Sequence, residues 1–99
     1  MTNQDFAGAP ARRGITFYGA DWCGDSRRSQ TLLDRLAIPY TFVDVDEDAA
    51  ASAWAARQNG GRRRIPTIAL GAAGPILIEP TDPDLTDALD RAGLLPADR

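Results

Sequence analysis

The chain carries a single thiol, Cys23, inside the segment Tyr18-Gly19-Ala20-Asp21-Trp22-Cys23-Gly24-Asp25-Ser26-Arg27-Arg28. It has no histidine, which excludes imidazole general acid–base chemistry, Cys-His hydrolysis and His-ligated metals within the chain. With one cysteine it has neither an internal disulfide nor a Cys-rich zinc site. A phosphate-binding loop with Arg in the sixth place after Cys fails too, because Ser29 stands there and Arg28 falls one place early. Whatever chemistry remains must use the one thiol, carboxylates, arginines or backbone dipoles.

A lone cysteine is most often a buried, inert core residue. Here the neighbours Asp21, Gly24, Asp25, Arg27 and Arg28 read as the surface residues of a turn, and Trp22 shields one side only. They favour a reactive thiol. Ahead of them, Ile15-Thr16-Phe17-Tyr18 is a β-branched and aromatic run ended by Gly19, hence a short strand. Behind them, from Ser26 or slightly earlier to Leu36, the apolar spacing is helical, with Leu32, Leu33 and Leu36 on one face and Pro39 as the stop. Cys23 therefore falls between a strand end and a helix start, the crevice in which open α/β sheets bind ligands. Unsatisfied N–H groups and the positive end of the helix dipole stabilise a thiolate over a thiol there. Arg27 and Arg28 add to this stabilisation, and Asp21 and Asp25 oppose it.

The remaining elements follow in order. Tyr40-Thr41-Phe42-Val43-Asp44-Val45 is a second strand, and an Ala-rich helix runs from about Asp48 to Gln58, with Asp46 or Asp48 to cap it and Asn59-Gly60-Gly61 to close it. Ile65 to Leu70 is a strand that begins at a proline, Gly71-Ala72-Ala73-Gly74 a turn, and Pro75 to Glu79 its hairpin partner. Thr81-Asp82-Pro83-Asp84 opens a last helix that carries Leu85, Leu89 and Ala92 inward and ends at Gly93. The order β-α-β-α-β-β-α implies an α/β domain: a four-stranded mixed sheet flanked by three helices, the core topology of the thioredoxin fold.

Within that frame, Trp22-Cys23-Gly24-Asp25-Ser26 resembles the active-site loop of thioredoxins, glutaredoxins and especially actinobacterial mycoredoxins. The similarity continues through Asn59-Gly60-Gly61-Arg62-Arg63-Arg64-Ile65-Pro66-Thr67-Ile68 and covers roughly residues 15 to 93. It implies a glutaredoxin- or mycoredoxin-type thiol–disulfide oxidoreductase with Cys23 as nucleophile and Trp22, Gly24, Asp25 and Ser26 as its supporting motif. It further implies that Pro66 is cis and faces Cys23, with the Ile65 backbone pairing the bound thiol and Thr67 following. By the same resemblance, Arg63 meets a carboxylate or sugar hydroxyl of a small thiol or stabilises the loop, and Thr81 and Asp82 stand where glutaredoxins hold the glutamyl end of glutathione. Each position also has a plainer reading: a trans strand start at Pro66, a solvated loop at Arg62 to Arg64, a helix cap at Thr81.

Ser26 departs from the family pattern, which usually has a second cysteine there. A hydroxyl cannot close a disulfide, so only a monothiol route remains, in which mycothiol or glutathione serves as co-substrate and S-thiolated proteins are the partners. Ser26 is expected to hydrogen-bond the Cys23 sulfur or to cap the helix. An alternative is a [2Fe–2S] carrier of the Cys-Gly-Phe-Ser type. However, Asp25 replaces its Phe, and Ala20-Asp21 stands where a Lys usually precedes the motif, which disfavours an anionic cluster. A redox-inactive adaptor is the other alternative. No bound cofactor and no metal are expected.

Composition sets the outer limits. Ninety-nine residues, 43% hydrophobic and 25% charged, fit one globular domain at residues 14–95, with a flexible tail over 1–13 and a short one over 96–99. The net charge of −3 argues against nucleic acid. The acidic run Asp44, Asp46, Glu47, Asp48 lacks calcium-loop spacing and reads as a cap plus solvated charge. Neither a signal-type apolar stretch nor a run of ~20 apolar residues occurs, so a cytoplasmic address away from membranes is the expectation, and a monomer is expected beside it.

Overall fold

The computed structural model describes residues 7–96. β1 (Ile15–Gly19) leads through α1 (Gly24–Arg35) to β2 (Thr41–Asp44), and α2 (Ala49–Arg57) then leads to β3 (Thr67–Leu70), β4 (Ile76–Ile78) and α3 (Asp82–Arg91). The strands form one sheet in the order β2-β1-β3-β4. β1 runs parallel to β2 with Phe17 opposite Phe42, and antiparallel to β3 with Phe17 opposite Ile68. β3 and β4 form the hairpin, with Ile68 opposite Leu77.

Every residue of β1 is buried, as a central strand covered on both faces must be. Its alternation divides the core in two. Ile15 and Phe17, with Ile68 and Leu70 of β3, meet Leu32 and Leu33 of α1 and Leu85 and Leu89 of α3. Tyr18 faces the other way, toward Ala51 and Ala55 of α2, and Trp54 stacks on its ring at a centroid distance of 4.8 Å. The four leucines Leu32, Leu33, Leu85 and Leu89 are at most 5% exposed, and burial of each contributes roughly 1.5–3 kcal/mol.

Two helices end alike on different residues. After α3, Gly93 takes φ 73°, Leu94 N–H donates to Leu89 O and Gly93 N–H to Asp90 O. After α1, Ile38 N–H donates to Leu33 O and Ala37 N–H to Asp34 O, yet the left-handed residue is Ala37, at φ 58°. The chain thus leaves α1 through this hydrogen-bonded cap, two residues ahead of Pro39.

The expected tail over 1–13 lies partly outside the described residues. Of the rest, Gly8 O accepts from the Tyr18 hydroxyl (2.7 Å), Ala11 N–H donates to Thr16 Oγ1 (3.1 Å) and Arg12 O accepts from Ala72 N–H (3.3 Å). Gly8 has φ 81°, and a Cβ there would collide with the Ala50 carbonyl. The segment is seated against the start of α2.

Candidate active site

Cys23 caps α1. Its extended backbone (φ −84°, ψ 119°) turns the chain into the helix, and its own Sγ accepts the Ser26 backbone N–H at 3.4 Å. The side chain is half-buried against the cluster of Tyr18, Ala20, Val45 and Ile65. Across from it lies the Ile65 carbonyl, 3.8 Å from Sγ, to which the thiol donates. The sulfur thus lies at the helix terminus, with the Ser26 N–H directed at it and the Ile65 carbonyl opposite.

Ser26 does not cap the helix through its hydroxyl. It is fully buried, its Oγ accepts the Ala20 N–H at 3.4 Å, and a Cβ on Gly19 would lie 2.7 Å from that oxygen. The backbone N–H of Ser26 meets the sulfur; the side chain holds the loop that carries it.

The Ile65–Pro66 peptide is cis. Pro66 is fully buried and its carbonyl accepts the Glu79 N–H at 2.8 Å. Thr67 is fully buried as well, and its hydroxyl donates to Arg64 O at 2.7 Å, which closes the turn ahead of β3. Glu79, at φ 49°, accepts Arg64 at 3.2 Å. Thr81 is the cap of α3 and accepts the Asp84 N–H at 3.2 Å. The plain reading of Thr81 is thus present in the structure.

Two groups of charged side chains near the sulfur are paired within the chain. Arg28 donates to Asp25 (2.9 Å) and to Pro80 O (3.2 Å), and its Nε lies 3.7 Å from Asp82 Oδ1, a charge contact without a hydrogen bond. Arg28 therefore reaches to the head of α3. On the other side, Asp46 Oδ2 accepts the Trp22 indole N–H at 2.6 Å while Oδ1 lies 3.2 Å from Arg63, whose second nitrogen donates to Ser52 Oγ at 3.3 Å. The indole hydrogen bond, followed by Arg63, holds the Asp46 carboxyl below the usual carboxylate range. Trp22 itself is 66% exposed, so this hydrogen bond, rather than packing, sets its orientation. The cap of α2 is Asp48, and Asp46, expected as a helix cap or solvated charge, instead bridges Trp22 and Arg63. Its partners lie far along the chain, and only its place just beyond the end of β2, at the carboxyl edge of the sheet, was a signal.

The structure thus brings Ser26 and Ile65 to the Cys23 sulfur, while Asp46 links Trp22 to Arg63 and Arg28 links Asp25 to Asp82. Among the described residues no cluster of three or more His, Cys, Asp or Glu is placed to hold a metal ion, and no helix is long and apolar enough to cross a membrane.

A mixed four-stranded sheet with three helices and a cysteine at the first helix N-terminus, facing a cis-proline turn, defines the thioredoxin superfamily. The glutaredoxin family model matches residues 15–72, more than half of the chain, and the chain belongs to the glutaredoxin family. Solved glutaredoxins share its fold. That of Archaeoglobus fulgidus superposes with a TM-score of 0.67 at 15% identity over 78% of this chain and 86% of its own. A buckwheat glutaredoxin–glutathione complex gives 0.62 at 19% identity, covering 84% and 82%. The holo form of poplar (Populus tremula × tremuloides) glutaredoxin C1 gives 0.57 at 20%, covering 80% and 76%. No curated protein matches the sequence. Family membership supports chemistry of the thiol–disulfide oxidoreductase type.

Proposed function

We propose that this glutaredoxin is a monothiol oxidoreductase that removes a small thiol from S-thiolated proteins through Cys23. The observation that carries the reading is the sulfur itself: half-buried, at a helix N-terminus, with the Ser26 N–H on it and no second cysteine in the chain. Cys23 thiolate attacks the small-thiol sulfur of a mixed disulfide. A Cys23–small thiol disulfide forms, the protein sulfur leaves as thiolate, and it takes a proton from solvent. A second small thiol, as thiolate, then attacks the sulfur held on Cys23. The symmetric small-thiol disulfide departs and Cys23 thiolate returns. The net reaction consumes one small thiol and reduces one protein cysteine.

The Ile65 backbone, turned toward the sulfur ahead of Pro66 and Thr67, is the strand-like edge along which the bound thiol lies. Trp22, Gly24 and Asp25 form the loop around it, with Arg63 on one flank and Thr81 and Asp82 on the other. The small thiol is mycothiol or glutathione. The buckwheat neighbour is described as a glutathione complex, and the mycoredoxin-like loop motifs favour mycothiol. The protein acts as a monomer in the cytoplasm, with no bound cofactor. Steady-state reduction of a thiolated peptide by added small thiol tests the reading: wild type turns over, Cys23→Ser does not. Turnover undiminished in Cys23→Ser would refute it.

A further inference from the structure

Asp46 joins the two segments that flank the sulfur. Trp22 directly precedes Cys23, and Arg63 lies two residues before Ile65, whose carbonyl faces Sγ. Each carboxylate oxygen has one partner: Oδ2 the indole N–H at 2.6 Å, Oδ1 the guanidinium at 3.2 Å. Asp44 fixes the backbone beneath, its Oδ1 accepting the Asp46 N–H at 2.9 Å. Arg63 is also drawn toward α2 by Ser52 Oγ. Arg63 is therefore engaged on two nitrogens by its own chain. A carboxylate arriving with a small thiol would exchange one carboxylate partner of Arg63 for another, and would do so beside the displaced Asp46 charge. An uncharged thiol meets no such repulsion.

We propose that Asp46 is a specificity-determining residue of the Cys23 site: by holding Arg63 while it anchors Trp22, it withholds the arginine from carboxylates and turns the site against anionic thiols. The inference rests on the monothiol reading above and adds the charge class of its substrate. In Asp46→Asn the amide oxygen still accepts from Trp22, while its NH₂ offers Arg63 nothing.

Because Cys23 is the sole thiol, its reaction rates with two disulfide reagents report the site directly, whether or not the protein is an enzyme. The reagents are dianionic dithiobis(nitrobenzoate) and neutral dithiodipyridine. Asp46→Asn is expected to raise the anionic-to-neutral rate ratio about threefold, the scale of an exposed ion pair. Glu47→Gln, the same change of charge one residue on, raises it less. Adding Arg63→Gln to Asp46→Asn returns the ratio to the wild-type value. A looser Trp22 would speed both reagents alike and cancel in the ratio. A gain no larger than that of Glu47→Gln, or one that survives loss of Arg63, overturns the proposal. In turnover, KM for a glutathionylated peptide falls in Asp46→Asn while that for the same peptide carrying mercaptoethanol holds. If neither peptide is turned over by any form, the monothiol reading fails, and the reagent ratio still decides the role of Asp46.

Discussion

Cys23 and Ser26 divide between them what a two-cysteine loop would combine. The sulfur receives the Ser26 backbone N–H, a contact that does not depend on which side chain Ser26 bears. The hydroxyl instead satisfies the buried Ala20 N–H. Ser26→Ala is thus expected to leave the exchange rate of Cys23 within about twofold while it lowers stability by about 1–3 kcal/mol, the cost of an unpaired buried donor. Urea unfolding and single-thiol kinetics measure the two effects separately. Cys23 was legible in the sequence because its signal is local: a turn-rich segment between a strand run and a helical run. Asp46 was not. Its meaning lies in contacts with Trp22 and Arg63, which come together only when β2 has paired with β1 and α2 has folded back.

At the scale of elements, the seven runs and their order were readable from apolar periodicity and punctuation, and the ends were less so. β3 begins at Thr67 rather than at Ile65, since Pro66 has no N–H to give a ladder and Ile65 is turned toward the sulfur. β2 stops at Asp44 although Val45 is a strand former, and the next stretch curls so that Asp48 caps α2 by accepting the Ala51 N–H at 3.0 Å. Pro39 looked like the terminator of α1, but the helix ends on a left-handed Ala37. An L-residue with a Cβ pays roughly 1 kcal/mol there that glycine avoids, and glycine already fills the same place after α3. Ala37→Gly should therefore raise stability by about 0.5–1 kcal/mol despite the extra freedom it gives the unfolded chain. An unchanged or lower urea midpoint would show that the cap costs nothing.

Taken as a molecule, the sheet separates two packed faces, and the two sides differ in how they close. α1 and α3 cover one with leucines; α2 covers the other with alanines, and Tyr18, Trp54 and the residues around Gly8 fill the space that small side chains leave. Composition could not reveal this closure, because Gly8 and Tyr18 meet only in the folded chain. It has a pH signature. Burial, and then the Asp48 charge, push the Tyr18 phenol well above the ordinary tyrosine range, and burial pushes Tyr40 up as well. A raised folded-state value means that the protonated phenol contributes its full stability below the unfolded value of about 10 and loses it as the pH rises beyond that point. The chain has no lysine, so tyrosines dominate titration there. Stability should fall steeply above about pH 10 in wild type and less steeply in Tyr18→Phe. Equal slopes would remove Tyr18 as the cause.

One sulfur that accepts and returns a small thiol is the centre of the proposed chemistry. The direct measurement is the intact mass of the protein after minutes with the disulfide of mycothiol, glutathione or mercaptoethanol, and again after fresh thiol is added. One adduct on Cys23, absent in Cys23→Ser and released by the second thiol, is the expected result. A protein whose mass stays unchanged with all three disulfides, or an adduct that fresh thiol does not remove, would contradict it.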